Sequence, residues 1–205
     1  MGSVSSTTRG IWYGGGIYGP DAPAYTFYNI IDYITVASTG NATDFGDLTT
    51  ARYHTAGAGD GTYGLFGGGG DTHENTIDYL TVASTGNASD FGDLTVARYH
   101  IGTGGDATRG IFGGGNKSGG SGSGNTIDYV TYASPSNATD FGDLTAVRDR
   151  HSSVSSTTRG LFAGGRDGSG NVNTIEYITI ASTGNGTDFG DLTAARQLVQ
   201  AMGSS

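Results

Sequence analysis

Nineteen Asp and Glu, ten Lys and Arg, four His and no Cys are the groups with which this chain could do chemistry. Eight of the carboxylates lie in four copies of one word, Asp-Phe-Gly-Asp, beginning at Asp44, Asp90, Asp140 and Asp188. Asp32, Asp78, Asp128 and Glu176 recur at a second position. Carboxylates at i and i+3 suit an acid–base pair or oxygen ligation of Ca²⁺. An acid–base centre is made once, however, whereas this pair is made four times, and no Asp-x-Asp-x-Asp-Gly loop is present. Turn capping accounts for these groups better, as does pairing with the equally recurrent arginines: Arg9, Arg109 and Arg159, or Arg52, Arg98, Arg148 and Arg196.

The histidines are His54, His73, His100 and His151, and only His54 and His100 hold equivalent positions, where the other two repeats carry Arg150 and Leu198. Zinc needs three or four converging ligands, so no metal site is expected. No Ser-His-Asp set is readable. The glycine clusters lack the Lys-Ser/Thr and the following helix of a phosphate-binding loop. The expectation is a protein that is not an enzyme and holds no cofactor. Ten basic residues against nineteen acidic ones, a net charge of −9, argue against a nucleic-acid or anionic-membrane surface. No apolar run reaches the roughly 20 residues of a membrane-spanning helix, and no basic-then-apolar signal segment opens the sequence.

What must position these residues is a repeat. Leu, Ile, Val and Phe make up about 18% of the chain and Gly supplies 39 residues, a composition that with this charge usually stays disordered. Yet Asp-Phe-Gly-Asp-Leu-Thr returns at offsets of 46, 50 and 48 residues. Each copy follows a strand-like segment: Ile31–Ser38, Ile77–Ser84, Ile127–Ser134 or Ile175–Ser182. Earlier lies an apolar pair (Ile11-Trp12, Leu65-Phe66, Ile111-Phe112, Leu161-Phe162) running into a glycine doublet. Each repeat therefore reads as four short strands. The first is a Gly/Ala/Ser-rich strand after the recurring Arg, the second holds the apolar pair, the third is the Ile-Asp/Glu-Tyr segment, and the fourth centres on Phe45, Phe91, Phe141 or Phe189. Ile77 and Tyr79 point one way, and Leu80 and Val82 the other, so both faces of the sheet must be covered. Strand-built periods of this length mark propellers or solenoids.

The glycine doublets, Tyr33/Tyr79/Tyr129/Tyr177, the Phe of each fourth strand and the Arg of each junction resemble the pattern of kelch-type β-propeller repeats across all four units. Two departures are Phe where kelch repeats carry Trp, and four units where six or seven blades are usual. The run from Asn-Thr-Ile-Asp-Tyr to Asp-Phe-Gly-Asp-Leu-Thr also resembles repeats of tail-fibre-like proteins of marine bacteriophages, which implies a virion location. The copper-radical oxidase chemistry found on kelch architecture needs a Tyr–Cys crosslink, and Cys is absent.

The resemblance implies an all-β, four-bladed kelch-like propeller with four-stranded antiparallel blades, residues 1–205 forming one domain. The tail after Arg196 reads as a first strand, so the ring is expected to close by the C-terminal strand entering the blade begun at the N-terminus. The expected blades are about 7–52 plus 197–205, 53–98, 99–148 and 149–196, with residues 1–6 redundant. Small residues in the first strands fit a narrow four-fold axis and a monomer. The alternative is a homodimer forming eight blades.

Binding residues belong where the repeats differ, in the loops between second and third strands. These loops offer Tyr18, Tyr25, Phe27 and Tyr28 in the first unit, His73 and Glu74 in the second, and Arg166 and Asp167 in the fourth. The aromatics are suited to stack on a sugar or a protein partner, or to cover the seam where the chain ends meet. The expected role is a non-catalytic binding or structural module, part of a phage particle or host-recognition appendage. The alternative is a carbohydrate-binding lectin using the first-unit aromatics. Asn41, Asn87, Asn137 and Asn185 each start an Asn-x-Ser/Thr sequon, and their recurrence at one position favours local Asn turns over glycosylation.

Overall fold

The computed structural model describes residues 2–17, 25–70, 74–117 and 122–198. They form four four-stranded antiparallel sheets, each in the order first, second, third, fourth strand. Sheet one is β1 (Gly2–Ser5), β2 (Arg9–Tyr13), β5 (Ile30–Thr35) and β6 (Thr43–Asp47). Between its second and third strands, β3 (Gly16–Ile17) and β4 (Thr26–Phe27) make a small ribbon. Sheet two is β7 (Ala56–Gly59), β8 (Tyr63–Gly67), β9 (Thr76–Thr81) and β10 (Ser89–Asp93). Next, β11 (Arg98–Tyr99) pairs with β14 (Asn116–Lys117) beside sheet three, which is β12 (Gly102–Gly105), β13 (Arg109–Gly113), β15 (Thr126–Thr131) and β16 (Thr139–Asp143). Sheet four is β17 (Ser152–Ser155), β18 (Arg159–Ala163), β19 (Thr174–Thr179) and β20 (Thr187–Asp191).

The recurring word Asp-Phe-Gly encodes a β-bulge. Asp90 faces Asp78 and Gly92 faces Ile77, so Phe91 is the extra residue on its strand. The Asp90 carboxylate accepts the Gly92 N–H at 3.0 Å, and Gly92 takes a φ of 140°, open to glycine and rare for other residues. The displaced Phe91 ring meets Tyr79 edge-on at 5.5 Å. The same ring pair recurs in the other three sheets. Glycine doublets end each second strand for a comparable reason. A Cβ on Gly14 would stand 2.5 Å from the Arg52 carbonyl oxygen, in a backbone already at φ 59°.

The sheets pack face to face, and each core lies between neighbours. Ile11, Ile31 and Phe45 of sheet one close on Phe66, Leu80 and Val82 of sheet two. Leu65, Ile77 and Phe91 close on Phe112, Val130 and Tyr132. Ile111, Ile127 and Phe141 close on Phe162, Ile178 and Ile180. The first strands lie side by side, β1 against β7, β7 against β12 and β12 against β17. Their small residues allow direct links: Thr103 Oγ1 donates to the Gly57 carbonyl at 2.6 Å, and the Thr103 N–H donates to Ser153 Oγ at 2.7 Å.

Each neighbouring pair of sheets shares one buried ion pair: Arg52–Asp78 and Arg98–Asp128 at 2.6 Å, and Arg148–Glu176. The carboxylate also takes a following threonine. Thr49 Oγ1 and Thr95 Oγ1 donate to Asp78 and Asp128, each at 2.6 Å, and the Thr145 N–H donates to Glu176 at 2.7 Å. The sequon asparagines also serve this joint. Asn87, Asn137 and Asn185 accept from the N–H of Asp47, Asp93 and Asp143 on the preceding sheet, so they bridge sheets rather than close local turns.

One expectation is corrected. The edge of β2 assigned to the C-terminal strand is filled by β1, with Val4 opposite Ile11, so residues 2–5 are not redundant. The reason lies in the chain itself: Gly2–Gly10 repeats Ser152–Gly160 in all but its first residue. The expected closing segment, 199–205, lies outside the described residues. Among the described residues, none of the ion pairs or Asn bridges that join neighbouring sheets is made between sheet four and sheet one.

Candidate functional site

The strand order puts the loops between second and third strands, and the links entering each first strand, at one end of the sheets. The hairpins between first and second strands lie at the other end. At the hairpin end is a cavity of about 740 Å³ lined by Ser5–Thr7, Gly57–Gly61, Thr103–Ala107 and Ser153–Thr157. Its walls are made of small and short polar residues from the same hairpin of every repeat. Its two carboxylates are engaged by their own turns: Asp60 accepts from the N–H groups of Thr62 and Tyr63, and Asp106 from those of Thr108 and Arg109. In the repeats without Asp, Ser6 and Ser156 do the same work. Burial acts to raise the Asp106 pKa, but the bonds from Thr108 and Arg109 outweigh it and hold it below the usual carboxylate value.

The loop end is where the repeats differ. The residue two places after each junction arginine is left-handed in every unit: His54, His100, Arg150 and Leu198, all with φ between 53° and 55°. Such a φ is uncommon outside glycine. Here a ladder sustains it, the His100 N–H donating to the His54 carbonyl, Arg150 to His100, and Leu198 to Arg150. The ladder brings together side chains some fifty residues apart in sequence. The His54 and His100 rings lie 4.0 Å apart, Tyr99 is 4.5 Å from His100, and Tyr53 is 4.5 Å from His54. Phe27 stacks on Tyr53 at 4.5 Å with the planes 10° apart. The result is a half-exposed row, Phe27–Tyr53–His54–His100–Tyr99. Arg150 stands beyond it on the ladder, and Asn116 donates to Asp149 at 3.1 Å nearby.

Both imidazoles of the row are held neutral. Burial lowers the His54 pKa, with Arg150 adding to it. Burial, then His54 and Arg150, pull His100 down to about 3. At pH 7 the row therefore presents neutral π faces beside a permanent guanidinium. That combination suits the apolar face of a sugar ring or a flat side chain, beside an Arg150 guanidinium that donates one N–H to Gln197 Oε1 at 3.4 Å and has further donors for a hydroxyl or carbonyl.

The described loop residues expected to bind divide between exposed and structural positions. Tyr18 and His73 lie outside the described residues. Tyr25 is 73% exposed and stands two residues from Phe27, which the structure places in the row. The backbone of Tyr28 ties the loop down, its N–H donating to Gly15 and its carbonyl accepting from Arg52. Glu74 holds the corresponding place in the second unit through its own N–H and carbonyl, bonded to Gly69 and Arg98. Arg166 exchanges backbone bonds with Asp149. Asp167 caps its own turn through the N–H groups of Ser169 and Gly170, which lower its pKa. Tyr53, Tyr99 and Arg150 were absent from the expected set, and His54 and His100 entered it only as insufficient metal ligands. A signal was there: the dipeptide after the junction arginine is Tyr-His twice, then Asp-Arg, then Gln-Leu. No family model matches the chain, and no curated protein is similar to it.

Proposed function

We propose that this chain is a kelch-like β-propeller module, its four sheets being blades with the first strands innermost, and that it works by binding rather than catalysis. The observation that carries the reading is the row Phe27–Tyr53–His54–His100–Tyr99, an aromatic platform built where the repeat breaks its own symmetry. A structural position recurs in all units, and a site for one ligand need not. The setting implied by the sequence resemblance is a phage particle, in a tail or host-recognition appendage.

A carbohydrate ligand is the second reading, supported by Tyr25, an exposed aromatic two residues from Phe27. A glycan array followed by titration tests both. Binding to a sugar that Phe27→Ala with Tyr53→Ala abolishes, at an unchanged melting temperature, supports a lectin. Binding to a host surface protein lost in the same variant supports the appendage reading without sugar recognition. Binding of either kind that survives the double change places the site elsewhere and overturns the platform.

A further inference from the structure

Among the described residues, the contacts that join neighbouring sheets are made three times, and the two halves of a fourth joint stand open on sheets four and one. On sheet four, Arg196 is exposed, whereas Arg52, Arg98 and Arg148 are buried in ion pairs. Phe189 is 53% exposed, whereas Phe45, Phe91 and Phe141 are at most 3% exposed. A Cβ on Gly190 would meet nothing within 4 Å, whereas one on Gly46, Gly92 or Gly142 would strike the backbone of the next sheet. On sheet one the deficits are the reciprocal ones. Asp32 is only half-buried, where Asp78, Asp128 and Glu176 are fully buried. Val36 is 58% exposed, where Val82, Tyr132 and Ile180 are buried, and Trp12 is open where Phe66, Phe112 and Phe162 are closed over.

We propose that a second copy of this chain docks head to tail across these faces, Arg196 of one copy pairing with the partner's Asp32. By the repeat, Thr193 joins the same carboxylate, and the Asp191 N–H donates to the partner's Asn41, as Asp47, Asp93 and Asp143 do to their asparagines within the chain. The second copy is the occupant because each open face lacks the very groups that the other presents. The apolar residues match in size, and the charges are opposite. The one chain that carries both halves does not bring them together among its described residues. An apolar face of this kind left in water is a liability for a soluble monomer, and a head-to-tail contact closes into a ring or grows, according to its rotation. The inference is independent of what the aromatic platform binds.

Light scattering of the full chain over a dilution series tests it. The expected result is a species heavier than one chain of 20.8 kDa, twice that mass if two copies close the ring. Arg196→Ala and Asp32→Ala, each alone, should weaken assembly about a hundredfold, since each leaves one charge buried without its partner. Both positions are open in the single chain, so both variants should keep its circular dichroism. Mixing the two variants restores one intact joint and leaves the other without either charge, so assembly should return. A mass of 20.8 kDa at every concentration overturns the proposal, as does an assembly that neither variant weakens.

Discussion

The same residues behave in two ways in this molecule. Arg98 is enclosed between sheets two and three, donating to Asp128, to the carbonyls of Phe112 and Gly114, and to that of Thr126. Arg196, at the equivalent position of sheet four, is exposed to solvent. Asp128 and Asp32 differ in the same sense. A buried ion pair is thus no property of the repeat as a sequence. It belongs to the surface between two repeats, and a sheet acquires its core only when a neighbour covers it.

The largest expected effect breaks that contrast directly. Arg98→Ala removes one partner of a buried pair and strands Asp128, at a cost of about 3–5 kcal/mol. Arg196→Ala, measured at a dilution where the chain is monomeric, should change stability by no more than about 0.5 kcal/mol. Urea denaturation of both variants reads the difference. Equal losses would mean that Arg196 is as enclosed in solution as Arg98, and that sheets four and one meet within one chain.

How far this was readable beforehand follows the same division. Within a sheet, order is local: alternation in Ile77–Val82 and the bulge word at Asp90–Gly92 specify strands and their pairing from neighbouring residues alone. Between sheets, residue types were legible but partners were not. The recurring arginines and carboxylates were expected to pair, yet nothing local says that Arg52 reaches Asp78, 26 positions on. The sequon asparagines follow the same rule, since Asn87 looks like a turn residue until the Asp47 N–H arrives from the sheet before. The platform was hidden more deeply. His54 and His100 meet only because both adopt a left-handed backbone and share one ladder bond. The first strand is legible only when Gly2–Gly10 is set against Ser152–Gly160, far along the chain and beyond the reach of local pattern.

A smaller effect sharpens the contrast between interior and rim through pH. His151 lies inside the third joint, where a Cβ on Gly102 or Gly114 would strike its ring and Phe162 lies 5.8 Å away. Burial, with Arg148 adding, lowers its pKa to about 3. The unfolded chain binds that proton near pH 6.5, so the stability His151 contributes is full above about 6.5 and is lost as pH falls toward 3. His100 and His54, both lowered and both in the more open row, act in the same direction. In an NMR titration the His151 and His100 ring protons should not move at pH 5. A His151 midpoint near 6.5 would place that imidazole in water and the third joint ajar.

The smallest effect concerns the asparagine bridge, and it isolates what one hydrogen bond adds to a joint already closed by an ion pair and a core. Asn137 accepts from the Asp93 N–H at 3.1 Å at the margin of the joint between sheets two and three, where Asn137 is exposed and Asp93 half-buried. Water can replace the lost acceptor there, so Asn137→Ala should cost about 1 kcal/mol rather than the full penalty of a buried orphan. Asn41, the same residue in sheet one, has no such N–H to meet among the described residues, and Asn41→Ala should be silent in the monomer. Measuring Asn137→Ala, Asn41→Ala and the pair by urea denaturation makes the argument quantitative. The two effects should add, because the positions share no joint. If Asn41→Ala instead becomes costly as protein concentration rises, the bridge it lacks in the single chain is being supplied by a second copy. If the two asparagines cost the same at every concentration, the difference between closed and open joints does not exist in solution.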